Sequence, residues 1–262
     1  MSVFRNELKI NKIPLLIWSL SIGLLMAMCV FMFPDMKKEM DQVNKLFSSM
    51  GSFSAAFGMD QLNFGTLIGF YAVECGNVLG IGGAFYAAIT GISALMNEEK
   101  NRTAEFLMTH PLTRTRVISE KLLSVFAQIT LLNLIVIAIS FVSILAVGET
   151  VAWDQLMLLH LAYFFMQLEI GGICFGISAF ITKSGVGIGI GVAAVMYMLN
   201  IVSNISDKAK ELKYITAFGY TDGAQILQDK KLAFGYLAVG ILFLVAGVVA
   251  AYAKYTKKDL RA

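Results

Sequence analysis

The sequence predicts an all-α membrane protein with six transmembrane helices, and three observations carry that reading. Of 262 residues, 57% are hydrophobic and only 15% charged, against about 45–50% and about 25% in soluble domains. The mean hydropathy is +0.71. The apolar excess falls into blocks of about 20 or more residues, the length a helix needs to cross a hydrocarbon core of roughly 30 Å. The charges collect between these blocks. No internal repeat, low-complexity tract or soluble domain interrupts them, so residues 1–262 read as a single transmembrane domain.

The first span covers about 14–33 and follows a basic start of Arg5, Lys9 and Lys12. It is too long for the apolar core of a secretory signal, and no A-x-A site follows, so it is expected to stay attached. Met28 before Cys29 also argues against a lipoprotein cleavage box. A polar, mildly amphipathic segment leads to the second span, 66–95, which is long enough to tilt. The third to sixth spans are expected at 121–147, 156–181, 185–205 and 232–253. Before the sixth, charged residues alternate with Tyr214, Ile215, Phe218, Tyr220, Ile226 and Leu227. That mixture suits short helices at, or dipping into, the membrane interface. Cys29, Cys75 and Cys174 all lie in apolar runs, with no CxxC spacing, and read as packing residues.

The basic residues set the orientation. With both ends on one side, that side holds thirteen of the 21 Lys and Arg, including every arginine. It is therefore expected to be cytoplasmic, in a cell membrane read as the bacterial plasma membrane. The net charge of +3 is modest, and no nucleic-acid partner is expected.

The stretch "NEEKNRTAEFLMTHPLTRTR", Asn97 to Arg116, then falls in the cytoplasm with three glutamates, a lysine and three arginines. Glu98 and Arg102 are four apart on one helical face. Thr103 can cap a new turn, with Glu105 complementing its dipole. Phe106 and Leu107 give the short helix an apolar face, and His110-Pro111 ends it. Thr113 can start the next helix, with Arg114, Arg116 and Lys121 as anchors at headgroup level. An ordinary loop obeying the positive-inside rule is one reading. A docking element for a cytoplasmic partner is the other, because the acids are surplus to topology.

This segment resembles the cytoplasmic loop of ABC-2 type transporter permeases, where "E-x-x-x-G-T-x-E-x-L-L" precedes "P-[VL]-[ST]-R" and a lysine opens the third span. Glu99, Thr103, Glu105, Phe106, Leu107, Pro111, Leu112, Thr113, Arg114 and Lys121 fall on that pattern, while Arg102 replaces its glycine. "NELKINKIPLLIW" is similar to the amphipathic opening helix of these permeases, "LKYITAFGYTDGAQIL" to their last external loop and "YAKYTKKDLRA" to their basic tail. The resemblance implies a permease subunit of an ATP-driven exporter, working as a homodimer or with a related permease among membrane lipids. It implies cytoplasmic ABC ATPase subunits docked on a coupling helix formed by Glu98, Glu99, Arg102, Thr103, Glu105, Phe106, Leu107, Pro111 and Arg114. The chain has no G-x-x-x-x-G-K-[ST], so ATP and Mg are expected on the partner ATPase, with no cofactor and no catalysis in this chain.

Inside the spans, Glu74 and Glu169 are costly in hydrocarbon and normally face a cavity or a partner. With Asn77 and Gln167, and His160 beside them, they are candidates for a translocation path; the alternative is that they hold the bundle together. Gly172-x-x-x-Gly176 and Gly187-x-x-x-Gly191 permit close helix approach. The carboxylates suit a cation as cargo, the apolar bundle a lipidic or amphipathic one. Two other classes fit the sequence less well. "EEKNR" is one residue short of the Glu-Glu-x-x-x-Arg signature of CAAX-type intramembrane proteases and sits at a span edge. A stand-alone secondary transporter would be expected to show inverted repeats or paired broken helices.

Overall fold

The computed structural model describes residues 2–39, 49–51, 54, 56, 59, 62–100, 113–182 and 185–257. The helices are α1 (Ser2–Ile10), α2 (Lys12–Lys38), α3 (Leu67–Lys100), α4 (Arg114–Val147), α5 (Trp153–Ser178) and α6 (Val186–Ile205). A 3-10 helix (Asp207–Tyr214), α7 (Gly223–Asp229) and α8 (Phe234–Tyr255) follow. Six of these, α2 to α6 and α8, are long and apolar enough to cross a membrane, as the sequence predicts.

Each span buries the face its pattern dictates. In α2 the buried positions include Leu15, Ser19, Ile22, Met26, Val30 and Phe33, a repeat of three and four that makes one stripe. The stripe packs on α3 and α4, and Leu16, Leu20, Leu24, Met28 and Phe31 stay exposed on the outside. Helices α3 and α5 form the centre and pack chiefly on each other. They approach closely because Gly91 lies against the Gly171 carbonyl, where any Cβ would collide. Gly176 likewise lies against Gly247, bringing α5 onto α8. Thus Gly172-x-x-x-Gly176 is a packing motif within the chain. Gly187 and Gly191 on α6 instead face open space, with nothing within 4 Å of an added Cβ.

The span helices outrun several expected boundaries. The third begins at Arg114, about two turns before Lys121, because the Thr113 side chain caps it by accepting from the Arg116 N–H at 3.3 Å. Gly148, at φ 74, ends it in the left-handed conformation that suits glycine. Helix α1 rests on the start of α4, and Arg114 Nη1 donates to the Thr256 carbonyl at 3.5 Å. Both described chain ends therefore lie at one end of the bundle. At the far end, the segment between α6 and α8 folds inward and buries Thr216, Ala217, Phe218, Tyr220 and Thr221. The short helices expected there are the 3-10 helix and α7, the latter capped by Asp222, whose Oδ1 accepts from the Ala224 and Gln225 N–H groups.

Candidate functional site

Four polar side chains in the spans were candidates for a path, and the structure gives each different surroundings. Glu169 on α5 is 2% exposed. Its Oε2 accepts a 2.8 Å hydrogen bond from the Tyr220 hydroxyl, and it sits where Gly240 of α8 leaves room for it. Burial, with the Glu169 carboxyl adding to it, pushes the Tyr220 hydroxyl well above the usual phenol range, so it stays a donor. Gln167 is fully buried against Gly83 of α3, and its Oε1 accepts from Asn133 Nδ2 of α4 at 2.7 Å.

Asn77 is half-buried on α3, and the Tyr197 hydroxyl of α6 donates to its Oδ1 at 3.5 Å. It lines a cavity of about 50 Å³ with Tyr163, Tyr197, Asn200, Asn204 and Thr221, enough for a few waters. Glu74, half-buried one turn earlier on α3, has no hydrogen bond or ion pair among the described residues. Of the four, only Asn77 lines that cavity. His160 is 5% exposed, with Nε2 2.7 Å from the Tyr71 hydroxyl. Sequence reasoning passed over Tyr71 and Asn133, since neutral polar residues in a span signal weakly.

At the end that carries the termini, Glu98 and Glu99 belong to the last turn of α3. Arg102, Thr103, Glu105, Phe106, Leu107 and Pro111 lie outside the described residues. Arg114 opens α4. Lys121, expected at headgroup level, is instead 1% exposed, because α1 folds back over it. Its Nζ donates to Glu7 Oε1 of α1 and to the Ala94 carbonyl of α3, each at 2.7 Å. The neighbouring Glu120 caps α1: its Oε2 accepts from the Val3 and Phe4 N–H groups at 3.0 and 3.2 Å, and its Oε1 from Arg116 Nε at 3.0 Å. An unpaired ammonium could not stay buried, so the pairing with Glu7 is what permits this site. One hint was in the sequence: adjacent opposite charges, Glu120 and Lys121, inside what proves to be a continuous helix. Ser119 Oγ lies 2.6 Å from the Tyr252 hydroxyl and ties the same turn to α8.

The result is a three-helix clamp in which one lysine joins the last turns of α3, the first turns of α4 and α1. The undescribed segment 101–112 connects the two spans held by this clamp. Residues 4–260 match the family described as ABC-2 family transporter protein. No curated protein matches the chain.

Proposed function

As the chain belongs to the ABC-2 transporter family and is a multi-pass membrane protein, we propose that it is the permease subunit of an ATP-driven exporter, paired with a second permease. Separate cytoplasmic ATPase subunits, which bind the ATP and Mg, dock on residues 97–114 and drive it. The observation that carries this reading is the Lys121 clamp. Lys121 fixes the ends of both spans that flank the insert to α1, so a displacement of the insert moves three helices together. Coupling of this kind travels through packed and hydrogen-bonded elements.

In this proposal Phe106 and Leu107 fill a groove on the ATPase, as buried apolar anchors carry most of an interface's energy. Glu98, Glu99 and Glu105 meet basic residues at its rim and set register. Arg102 and Thr103 shape the turn between α3 and the coupling helix, and Pro111 and Arg114 fix the angle at which that helix enters α4. Glu74 lies one turn from Asn77 on α3, and Asn77 is already met by Tyr197 of α6. A carboxylate without a partner is expensive in lipid, so a second permease covering Glu74 itself would give it the walls of a path. Gln167 and Glu169, hydrogen-bonded between elements, hold the bundle and its inward-folded loop.

The arginine asymmetry supports a cytoplasmic location for the insert and both termini. Cysteines placed at Lys230 and Ser119, in a background lacking Cys29, Cys75 and Cys174, test it with an impermeant thiol reagent. Lys230→Cys is expected to label from outside sealed cells and Ser119→Cys only after permeabilisation. The reverse pattern overturns the topology. For the function itself, the neighbouring genes are searched for an ABC ATPase and the permease is co-expressed with it. A stable complex with vanadate-sensitive hydrolysis is the expected outcome. Transport by the chain alone, driven by an ion gradient, would contradict it.

A further inference from the structure

The cavity that Asn77 lines, about 50 Å³ between α3, α5, α6 and the inward-folded loop, has one charged residue on its wall among the described residues, Asp222. Tyr163 of α5 and Tyr197, Asn200 and Asn204 of α6 supply most of its remaining polar wall. The three α6 residues are spaced by three and four, so they share one helical face. Gly76 of α3 leaves the room that Tyr163 occupies, since a Cβ there would stand 2.6 Å from the Tyr163 hydroxyl.

Two of these groups have hydrogen-bonding capacity to spare. Tyr163 is 7% exposed, and its hydroxyl has no hydrogen-bond partner among the described residues. The partnerless atoms that are sealed off are Asn133 Oδ1, His160 Nδ1 and Gln167 Nε2; the Tyr163 hydroxyl is not one of them, so it is open to the cavity. The Asn200 side chain is likewise partnerless and half-buried. It lies five residues before the end of α6, so the cavity is reached from the far end of the bundle. Asp222 is engaged on both oxygens: Oδ1 caps α7, and Oδ2 accepts from Lys213 Nζ at 2.9 Å. Lys213 is not part of the wall. The loop thus brings its own primary ammonium, from outside, to the one carboxylate the cavity offers.

An anion would meet an acid here, and an uncharged solute would leave the carboxylate as it is. Exchanging one ammonium for another keeps the charge paired and strands nothing. A primary ammonium carries three N–H donors, and Asp222 Oδ2, Tyr163 Oη and Asn200 Oδ1 are acceptors on the wall. The rings of Tyr163, Tyr197 and Phe218, also on the wall, attract a cation further. At roughly 10–15 Å³ per water, the volume suits a head of two or three heavy atoms. We propose that the cavity binds the ammonium head of a small primary amine, which takes the place of Lys213 at Asp222. Lys213 is the built-in competitor for the site. Neither the insert nor an ATPase is involved, so the binding stands independently of the transport reading.

The test is a saturation-transfer NMR titration of methylammonium on the purified full chain in phosphatidylcholine nanodiscs. Saturable binding is expected, and Lys213→Met should bind about tenfold tighter, as when the lysine holds the carboxylate about nine-tenths of the time. Such a gain cannot come from a misfolded variant. Adding Asp222→Asn, which still caps α7, should abolish it. Asn200→Leu should weaken binding about tenfold, the worth of one hydrogen bond to a charged group. Ethylammonium should displace the probe, and sodium at the same concentration should not. Absent binding or an unchanged affinity in Lys213→Met, binding that survives Asp222→Asn, or sodium displacing as well as ethylammonium does, would overturn the proposal.

Discussion

At the end that carries the termini, the ties between elements are ionic and shared: Lys121 bridges α4 to both α1 and α3, and Glu120 caps α1 while taking Arg116. At the far end, the inward-folded loop is held by separate hydrogen bonds, Tyr220 to Glu169 of α5, Gln155 of α5 to the Leu227 carbonyl and Thr216 to the Met196 carbonyl of α6, and by packing of residues such as Phe218 on Tyr197 of α6. Its ion pair, Lys213 with Asp222, closes the loop on itself. The difference has mechanical meaning. Separating a buried ion pair strands two charges, whereas releasing the loop exchanges a few uncharged-donor hydrogen bonds, each of modest net worth. The first end is held to move as a block, and the second gives way more easily.

The comparison breaks most visibly at Lys121. Lys121→Met leaves Glu7 and the Ala94 carbonyl without their partner, and is expected to cost about 3 kcal/mol, read by denaturant unfolding in detergent. Adding Glu7→Leu should recover much of that loss. A cost near zero would mean the pair is screened like a surface ion pair and the block is not rigid. Tyr220→Phe should cost less, about 1–3 kcal/mol. Hydrogen exchange should accelerate in residues 213–222 while α1 stays protected; equal acceleration at both ends would erase the distinction. Glu120→Ala should cost about 1 kcal/mol, the usual worth of a helix cap, with faster exchange confined to the first turn of α1.

The six spans were legible because lipid demands length and apolarity together, and no other element supplies both. The position of Lys121 was not. A charged residue at the edge of an apolar run ordinarily snorkels to the interface, and only α1, 114 positions away in sequence, converts that edge into an interior. Glycine spacing was similarly half informative: Gly172 and Gly176 meet α8, while Gly187 and Gly191 meet nothing in this chain. Spacing states which approach is permitted, and the partner is decided by the rest of the fold. The acids in the spans were flagged by their cost, but that Glu169 is met by a loop tyrosine rather than by another span depends on a loop that folds inward.

The claim that binds these parts is that residues 97–114 are the handle by which an ATPase moves the clamped end. The direct measurement is pull-down of the partner ATPase by the detergent-solubilised permease, with its hydrolysis rate, for the parent and for a Phe106→Ala, Leu107→Ala double variant. Losing two buried anchors should weaken binding by at least about 1–3 kcal/mol and lower turnover in the complex, while the permease stays inserted and folded. Undiminished binding and turnover in the double variant would show that the handle lies elsewhere.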